Sequence, residues 1–367
     1  MVPRNREHSF GQTLRTIIQH WVEAVTSRTY CPDRREALVS GLALTMLAVT
    51  PATPVKAAGP SEIKLFDGHL HLVSEDLQRY PRASGPPPDG AAPVGSAPAP
   101  GASIEAGKPR LKSTIEQMLG WMDESGVDAA AAIQRVSSYG LDNSYVLDSS
   151  AAHPDRFRPV VVLNARDAET PGRISELAKT RKIAGLRLTG GKDANGRYPW
   201  MESAEALKTW AALDADGIAM DLGFAPQIFS REALEATLRL AQMFPRVNIV
   251  LDHMGRPKTE GAPGYGFADY PVALSSQSNV FFKLTTENLY ALEEANILAT
   301  AFVRHIADRF GAGRILWGSN MGTSAGTYAE MAQRVRLATA SLPDAEQRLL
   351  LRETGRSVFM RAAHPNR

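Results

Sequence analysis

The sequence predicts an α/β protein with the architecture of a (β/α)8 (TIM) barrel. From residue 63 onward, short apolar runs alternate with segments of helical periodicity, which is the pattern of parallel βα units. There are eight such runs, and eight units within roughly 300 residues match the usual size of this barrel. A doubly wound sheet also alternates strand and helix, but the count of eight favours the barrel. In a barrel, we expect the chemistry at the carboxyl ends of the strands.

The predicted strands are short runs rich in apolar and β-branched residues. In chain order they are Ile63–Asp67, Asp128–Gln134, Pro159–Leu163, Ile183–Thr189, Ile218–Leu222, Val247–Asp252, Val280–Leu284 and Ile315–Ser319. The segments between them carry helix signals. Ser113 and Glu116 form a capping box, and Gly126 is placed to end the helix that follows. Ser230 is placed to begin a later helix.

The charge pattern divides the chain into residues 1–58 and 59–367. The first segment holds seven of the 41 Lys and Arg residues but only four of the 39 Asp and Glu residues. Within it, Arg34 and Arg35 precede an uncharged run and then small residues, which is the order of an export signal of the twin-arginine type. The segment therefore predicts a periplasmic or secreted protein, with an amphipathic helix as the alternative. The apolar run is too short to predict a stable membrane span in the mature protein.

Composition excludes several functional classes for the remaining barrel domain, residues 59–367. The single cysteine, Cys31, excludes a disulfide framework and a cysteine-rich metal module. The near-neutral charge offers no basic surface for nucleic acid, so we expect a small-molecule substrate. Residues 82–110 are rich in Pro, Gly and Ala and predict a mobile insertion in the barrel. The oligomeric state stays open, a homo-oligomer included.

Three of the six histidines after residue 58 fall at the ends of two predicted strands. In an extended strand, Asp67, His69 and His71 would point the same way. His253 follows the sixth strand. Imidazoles that converge from two strand ends suit a polarised carbonyl oxygen or a divalent metal.

The motifs at these strand ends resemble the amidohydrolase superfamily, and most of all the amidohydrolase-related branch of the 2-pyrone-4,6-dicarboxylate and sugar-lactone lactonases. The matching segments, in the expected order over residues 63–360, are Phe66-Asp67-Gly68-His69-Leu70-His71, Gln134, Tyr139-Gly140-Leu141-Asp142-Asn143, Gly185-Leu186-Arg187-Leu188, Asp252-His253-Met254-Gly255-Arg256-Pro257, Lys283-Leu284 and Trp317-Gly318-Ser319-Asn320. The resemblance implies a barrel that hydrolyses lactones, esters or amides.

The resemblance also implies roles for individual residues. His69, His71 and His253 would polarise the substrate carbonyl and stabilise the oxyanion of the transition state. A second set would hold a substrate carboxylate: Gln134, Arg187, Arg256 and Lys283. The implied substrate is therefore a small carboxylated molecule.

One position departs from the family pattern. Asn320 stands where the family has an aspartate that activates water, and an amide cannot take a proton near neutral pH. Asn320 could still orient a water, so the base would be His253, if neutral, or Asp221 at the end of the fifth strand. Asp252 and Asp67 are candidates to fix the imidazole tautomers.

A second departure from the family pattern concerns metal binding. Metal-dependent relatives add a histidine from the fifth strand, and this chain has none there. We therefore expect no cofactor, although His69, His71 and His253 could together hold a divalent metal such as Zn²⁺.

The leading hypothesis from sequence is thus a hydrolase of a small carboxylated lactone or ester. One alternative is a metal-dependent decarboxylase of an aromatic or unsaturated acid. The other is a catalytically inactive binding protein that lost its base at Asn320.

Overall fold

The computed structural model describes residues 63–84, 102–224 and 230–360, and these form a (β/α)8 barrel. Eight parallel strands pair in sequence order, which confirms the predicted fold. Each lies within three residues of its predicted bounds. They are β1 (Leu65–Leu70), β2 (Val127–Ile133), β3 (Phe157–Val162), β4 (Gly185–Gly190), β5 (Ala219–Phe224), β6 (Ile249–Leu251), β7 (Val280–Thr285) and β8 (Ile315–Gly318).

Helices connect the strands and cover the outside of the barrel. They are α1 (Ala102–Glu105), α2 (Ile115–Ser125), α3 (Val136–Tyr139), α4 (Ser144–Ala152), α5 (Thr170–Thr180), α6 (Pro199–Glu202), α7 (Ala204–Asp216), α8 (Arg231–Met243), α9 (Val272–Ser276), α10 (Thr286–Glu294), α11 (Ala299–Phe310), α12 (Tyr328–Thr339), α13 (Asp344–Arg348) and α14 (Thr354–Phe359). Two 3-10 turns (Asp252–Gly255 and Ala312–Arg314) and a π-helical turn (Leu349–Glu353) complete them.

The predicted helix caps are confirmed at Gly126 and Ser230 and shifted at α2. Gly126 ends α2 with φ 70°, and Ser230 accepts the N–H of Ala233 at the start of α8. The capping box of α2 uses Thr114 and Gln117, one residue later than predicted. Two overlapping pairs fit the motif here, and spacing alone does not decide between them.

The barrel closes where β8 returns to β1. The N–H of Asn320 donates to the carbonyl of His69 (2.7 Å), and the N–H of His71 donates to the carbonyl of Met321 (3.0 Å). Both bonds lie at the carboxyl ends of the two strands. They therefore fix the β1 histidines relative to the loop that follows β8.

Apolar side chains fill the amino-terminal half of the barrel. Phe66, Val250 and Leu316 belong to an interior cluster that Val358 and Phe359 of α14 close from below. A larger apolar cluster lies between the strands and the outer helices. The polar residues described below therefore have an apolar floor on one side and the strand ends on the other.

The two irregular segments predicted from sequence lie largely outside the described residues. Residues 1–58, the predicted export signal, lie wholly outside, so that prediction stays untested. Of the predicted insertion, residues 102–110 contain α1, and Glu105 there accepts the N–H of Ala325 at 3.0 Å. Within the described ranges, no helix has the length and apolar content needed to span a bilayer.

Candidate active site

Two buried histidines, His69 and His71, lie together at the carboxyl end of β1. Their Nε2 atoms are 3.2 Å apart. A Cβ added to Gly318 of β8 would come within 2.6 Å of the Cβ of His69. Glycine is therefore required at position 318 for His69 to hold this position.

Asp67, predicted to share their face, points elsewhere. Its Oδ1 accepts the N–H groups of His69 (2.9 Å) and Ser319 (2.8 Å), and its Oδ2 accepts the hydroxyl of Tyr328 (2.9 Å). The prediction is wrong because the pairing of β1 with β2 shifts register between Asp67 and Leu70, which breaks strict alternation. Asp67 therefore joins β1 to β8 through backbone N–H groups and a tyrosine hydroxyl, and none of these hydrogen bonds involves an imidazole ring.

Next to the histidine pair, the ammonium of Lys283 is surrounded by acceptors. Its Nζ lies 2.9 Å from both carboxylate oxygens of Asp221, 2.7 Å from Oδ1 of Asp252 and 3.2 Å from Nδ1 of His69. Arg187 reaches Oδ2 of Asp252 at 3.0 Å. We call Lys283, Asp221, Asp252 and Arg187 the charged cluster. Its two cations and two acids compensate one another, as burial of charge requires.

The charged cluster keeps one carboxylate ionised and perturbs the other. Burial raises the pKa of Asp221 to about 7, and the negative charge of Asp252 adds to the effect. Burial acts on Asp252 too, but Lys283, His69 and Arg187 outweigh it and hold its pKa well below the usual range. Asp252 is therefore the fixed negative charge beside His69.

Burial keeps His69 and His71 neutral. It lowers the pKa of His69 to about 4, although Asp252 opposes the shift. It lowers the pKa of His71 well below the usual range, and His69 and Arg187 add to the effect. At neutral pH, both rings therefore carry one proton each.

Hydrogen bonds fix the tautomer of His71 and leave that of His69 with two options. Nδ1 of His71 lies 2.9 Å from the carbonyl oxygen of Ile133, which only accepts, so Nε2 of His71 has a lone pair. Nε2–H of His69 can donate to that lone pair while its Nδ1 accepts from Lys283. Alternatively, Nδ1–H of His69 donates to Asp252 (3.1 Å), and two Nε2 lone pairs then face one point.

Three residues of the site offer ligand atoms of the kind that bind a divalent metal. Ligand atoms of His69, Asp221 and Asp252 lie within 4.8 Å of one another, and all three residues are buried. Nitrogen and carboxylate oxygen donors suit several divalent cations, so the group does not single out zinc. The ammonium of Lys283 lies among the same donors, and a metal ion at that point would take its place.

His253 stands on a turn whose backbone is left-handed. Residues 253–256 have φ between 52° and 72°, a conformation that costs a residue other than glycine roughly 1–2 kcal/mol. Hydrogen bonds hold the turn: the hydroxyl of Tyr270 donates to the carbonyl of Met254 (2.6 Å), and Nδ2 of Asn288 donates to that of His253 (3.0 Å). The turn brings the ring of His253 to 5.6 Å from that of His69, between centroids.

The side chain of His253 has a hydroxyl and a carboxylate behind it. Its Nδ1 lies 2.8 Å from Oγ1 of Thr285 and 3.4 Å from Oε2 of Glu287. The hydroxyl of Thr285 donates to Oδ1 of Asn288 (3.1 Å), so its oxygen accepts the proton on Nδ1 of His253. Burial lowers the pKa of His253 to about 3, against the opposing charge of Glu287. The ring is therefore neutral, with a lone pair on Nε2.

The residues predicted to bind a substrate carboxylate already have protein partners. Lys283 and Arg187 belong to the charged cluster. Arg256 donates through Nε to the carbonyl of Phe224 (2.7 Å) and pairs with Glu287.

The fourth predicted substrate residue, Gln134, follows β2 directly and is buried. Its Nε2 donates to the carbonyls of Gly140 and Asp142, each at 2.9 Å. Its amide nitrogen thus shapes the loop after α3, and its Oε1 has no hydrogen-bond partner among the described residues.

Asn320 and Asp221, named from sequence as catalytic candidates, differ in their surroundings. Asn320 has φ 57°, and its Nδ2 donates to Oγ of Ser324 (3.1 Å) within the loop after β8. Asp221 is fully buried and bound to Lys283. The structure thus brings the three histidines together, with Asp221 among the buried charges and Asn320 in the closing loop.

Two residues at the site were missed from sequence. Arg135 comes one residue after Gln134, and Glu287 comes two residues after the end of β7. Both follow a strand end directly, which is a signal that could have found them. Neither belongs to a motif quoted above, so the resemblance did not mark them.

Comparisons with known proteins agree with this geometry. The family model described as amidohydrolase matches residues 66–361. L-Fucono-1,5-lactonase of Burkholderia ambifaria is 29% identical over 203 residues, which are 54% of this chain and 67% of that protein.

Two solved structures share the fold at low identity. A protein of Pseudomonas putida, described as a 2-pyrone-4,6-dicarboxylic acid hydrolase, superposes with a TM-score of 0.58 at 21% identity, over 81% of this chain and 98% of that one. The 5-carboxyvanillate decarboxylase of Sphingomonas paucimobilis gives 0.56 at 16% identity, over 81% and 99%. Likeness at this level establishes the barrel and leaves the reaction open.

Proposed function

The chain belongs to the amidohydrolase family, and we propose that it hydrolyses a small carboxylated lactone or ester at its histidine cluster. One observation carries this proposal: His69, His71 and His253 converge, neutral and buried, at the carboxyl ends of β1 and β6. The lactonase relative supports the same reaction class.

In this proposal, His253 is the general base that Asn320 cannot be. Its Nε2 has a lone pair and takes a proton from water as the water oxygen bonds to the carbonyl carbon. Glu287, 3.4 Å from Nδ1, stabilises the imidazolium that forms. Asp221, the other candidate base, is already occupied by Lys283. When the ring C–O bond breaks, the imidazolium returns the proton to the leaving alkoxide.

His69 would stabilise the developing oxyanion by donating Nε2–H, while His71, whose Nε2 has a lone pair, would hold that ring in place. In the tautomer with Nδ1 of His69 facing Lys283, the proton between the two Nε2 atoms is available to a substrate oxygen. Lys283, itself held by Asp221 and Asp252, donates to Nδ1 of His69 from behind. The charged cluster thus positions the histidines and does not itself touch substrate.

A divalent metal is compatible with these residues. His69 and His71 present Nε2 atoms 3.2 Å apart, and two imidazole nitrogens this close could both bind one divalent metal ion. When bound, a metal would supply Lewis-acid polarisation of the carbonyl. His253, Thr285 and Glu287 keep their roles in either case.

The test is a substrate panel with purified protein and a His253→Gln variant. We expect ring opening of carboxylated lactones, and a loss of kcat of about 10²–10⁴-fold in the variant with its unfolding free energy nearly unchanged. His305→Gln, on α11, is the matched control and should retain activity. The panel includes aromatic carboxylic acids, since release of CO₂ from them would favour the decarboxylase instead.

Unchanged lactone turnover in His253→Gln would contradict the assigned base. If the native chain is inactive and Asn320→Asp creates lactonase activity, the chain is a binding protein that lost its base.

A further inference from the structure

Four arginines lie close enough for their charges to act on one another, and two of them lack an acidic partner among the described residues. Arg187 pairs with Asp252, and Arg110 pairs with Glu105. Arg82 donates to the hydroxyl of Tyr139 and to a backbone carbonyl. The fourth, Arg135, follows β2.

The guanidinium of Arg135 contacts a neutral hydroxyl. Its Nη1 lies 3.3 Å from Oγ1 of Thr323, and no carboxylate in the described ranges forms an ion pair with it. Burial lowers the pKa of Arg135, and the positive charges of Arg110, Arg187 and Arg82 lower it further. A half-buried cation among like charges is unfavourable in the free protein, and an anion would relieve that cost.

Arg135 lies beside the histidine pair. The position that a Cβ on Gly322 would take is 3.2 Å from Nη1 of Arg135 and 3.1 Å from Cβ of His71. Both groups therefore border the same point of the loop after β8. Val136, the next residue, lines a small pocket together with Arg187 and Trp200. Arg135 thus directly precedes a residue of the pocket wall.

We propose that Arg135 binds a carboxylate of the substrate and selects anionic lactones over neutral ones. The partners set the ligand: Arg187 and Arg110 pair with protein acids and Arg82 donates to two protein oxygens, so the positive charge of Arg135, which has one hydroxyl contact, remains to be matched. One carboxylate matches it, and the guanidinium can hold a carboxylate through two parallel hydrogen bonds. This inference rests on the proposed lactonase function, and it names a specificity residue absent from the motifs.

The experiment compares a lactone that carries a carboxylate with the same lactone carrying a carboxamide, and ring opening is followed for both. Arg135→Met removes the charge and keeps most of the side-chain volume. We expect the KM for the carboxylate to rise about 10–100-fold, as loss of a charged hydrogen-bond pair predicts, with kcat within a few-fold. The KM for the carboxamide should stay the same or fall. Arg239→Met, on the outer face of α8, makes the same charge change and should alter neither.

An equal loss on both lactones, or no loss on either, would overturn the assignment. The proposed function can fail separately, if the native protein opens neither ring. In that case, calorimetric titration with the carboxylate lactone decides: binding that weakens in Arg135→Met and persists in Arg239→Met supports the subsite, and equal binding by all three proteins refutes it.

Discussion

The charged cluster and Arg135 both place positive charge near the histidines, but acidic side chains neutralise that charge in the cluster and not at Arg135. In the cluster, Lys283 and Arg187 face Asp221 and Asp252 at hydrogen-bond distance. Arg135 lies at the rim of the barrel, where the loops follow the strand ends, and its guanidinium contacts the hydroxyl of Thr323. Matched charges hold the protein's own side chains in place, whereas an unmatched charge at the rim is available to a ligand. The difference separates residues that position the histidines from one that recognises substrate.

The largest effect should come from removing the central cation of the cluster. Lys283→Met leaves Asp221 and Asp252 buried without the ammonium between them, and we expect the free energy of unfolding to fall by about 3–5 kcal/mol. Urea denaturation at pH 7 measures it. The double variant Lys283→Met, Asp221→Asn should recover part of the loss because one acid is also removed. A loss below about 1 kcal/mol in the single variant would mean that the cluster does not depend on its cation.

The protonation of the cluster and its histidines should make the fold sensitive to mild acid. Folded-state pKa values of about 4 for His69 and about 3 for His253 lie below the unfolded value, so the unfolded chain binds more protons between these values and pH 6.5. Stability is therefore lost as pH falls through this window. Asp221, raised to about 7, acts in the opposite direction and offsets roughly one imidazole.

With His71 shifted in the same direction, we expect a net loss of about 3 kcal/mol in unfolding free energy between pH 7 and pH 5. His253→Gln removes one of these buried imidazoles. Because the surface acids are the same in both proteins, their contribution cancels when the variant is compared with the native chain. The fall should be smaller by about 2 kcal/mol in that variant. Equal falls in both proteins would show that His253 is not buried in its neutral form.

The smallest effect on stability should come from removing the charge of Arg135. Arg135→Met removes a positive charge that has no acidic partner and lies among other arginines, so the unfolding free energy should change by no more than about 0.5 kcal/mol or rise slightly. A loss comparable to that of Lys283→Met would place Arg135 among the structural residues.

Much of the fold could be predicted from sequence because the strands are short apolar runs between clear helix signals. The histidines of the site were predictable for the same reason, since they follow strand ends. The ion pairs of the site were not predictable. Lys283 and Arg187 look like carboxylate-binding residues in the sequence, and only the three-dimensional arrangement places Asp221 and Asp252 against them.

Two local features were also beyond the sequence. The register shift in β1 turns Asp67 away from the histidines, and strict alternation cannot reveal such a shift. The left-handed turn at residues 253–256 contains three residues other than glycine, for which sequence predicts the ordinary backbone. Hydrogen bonds from Tyr270 and Asn288, distant in the chain, stabilise it.

The most direct test of the central claim is the mass of the product formed in water labelled with heavy oxygen. The best carboxylated lactone of the panel is incubated with native protein before and after chelation of metals, with His253→Gln as the control. We predict a ring-opened acid that has gained one labelled water in the native samples and a strongly reduced yield in the variant. A product that has lost carbon dioxide and gained no label, or equal yields from both proteins, would contradict the account.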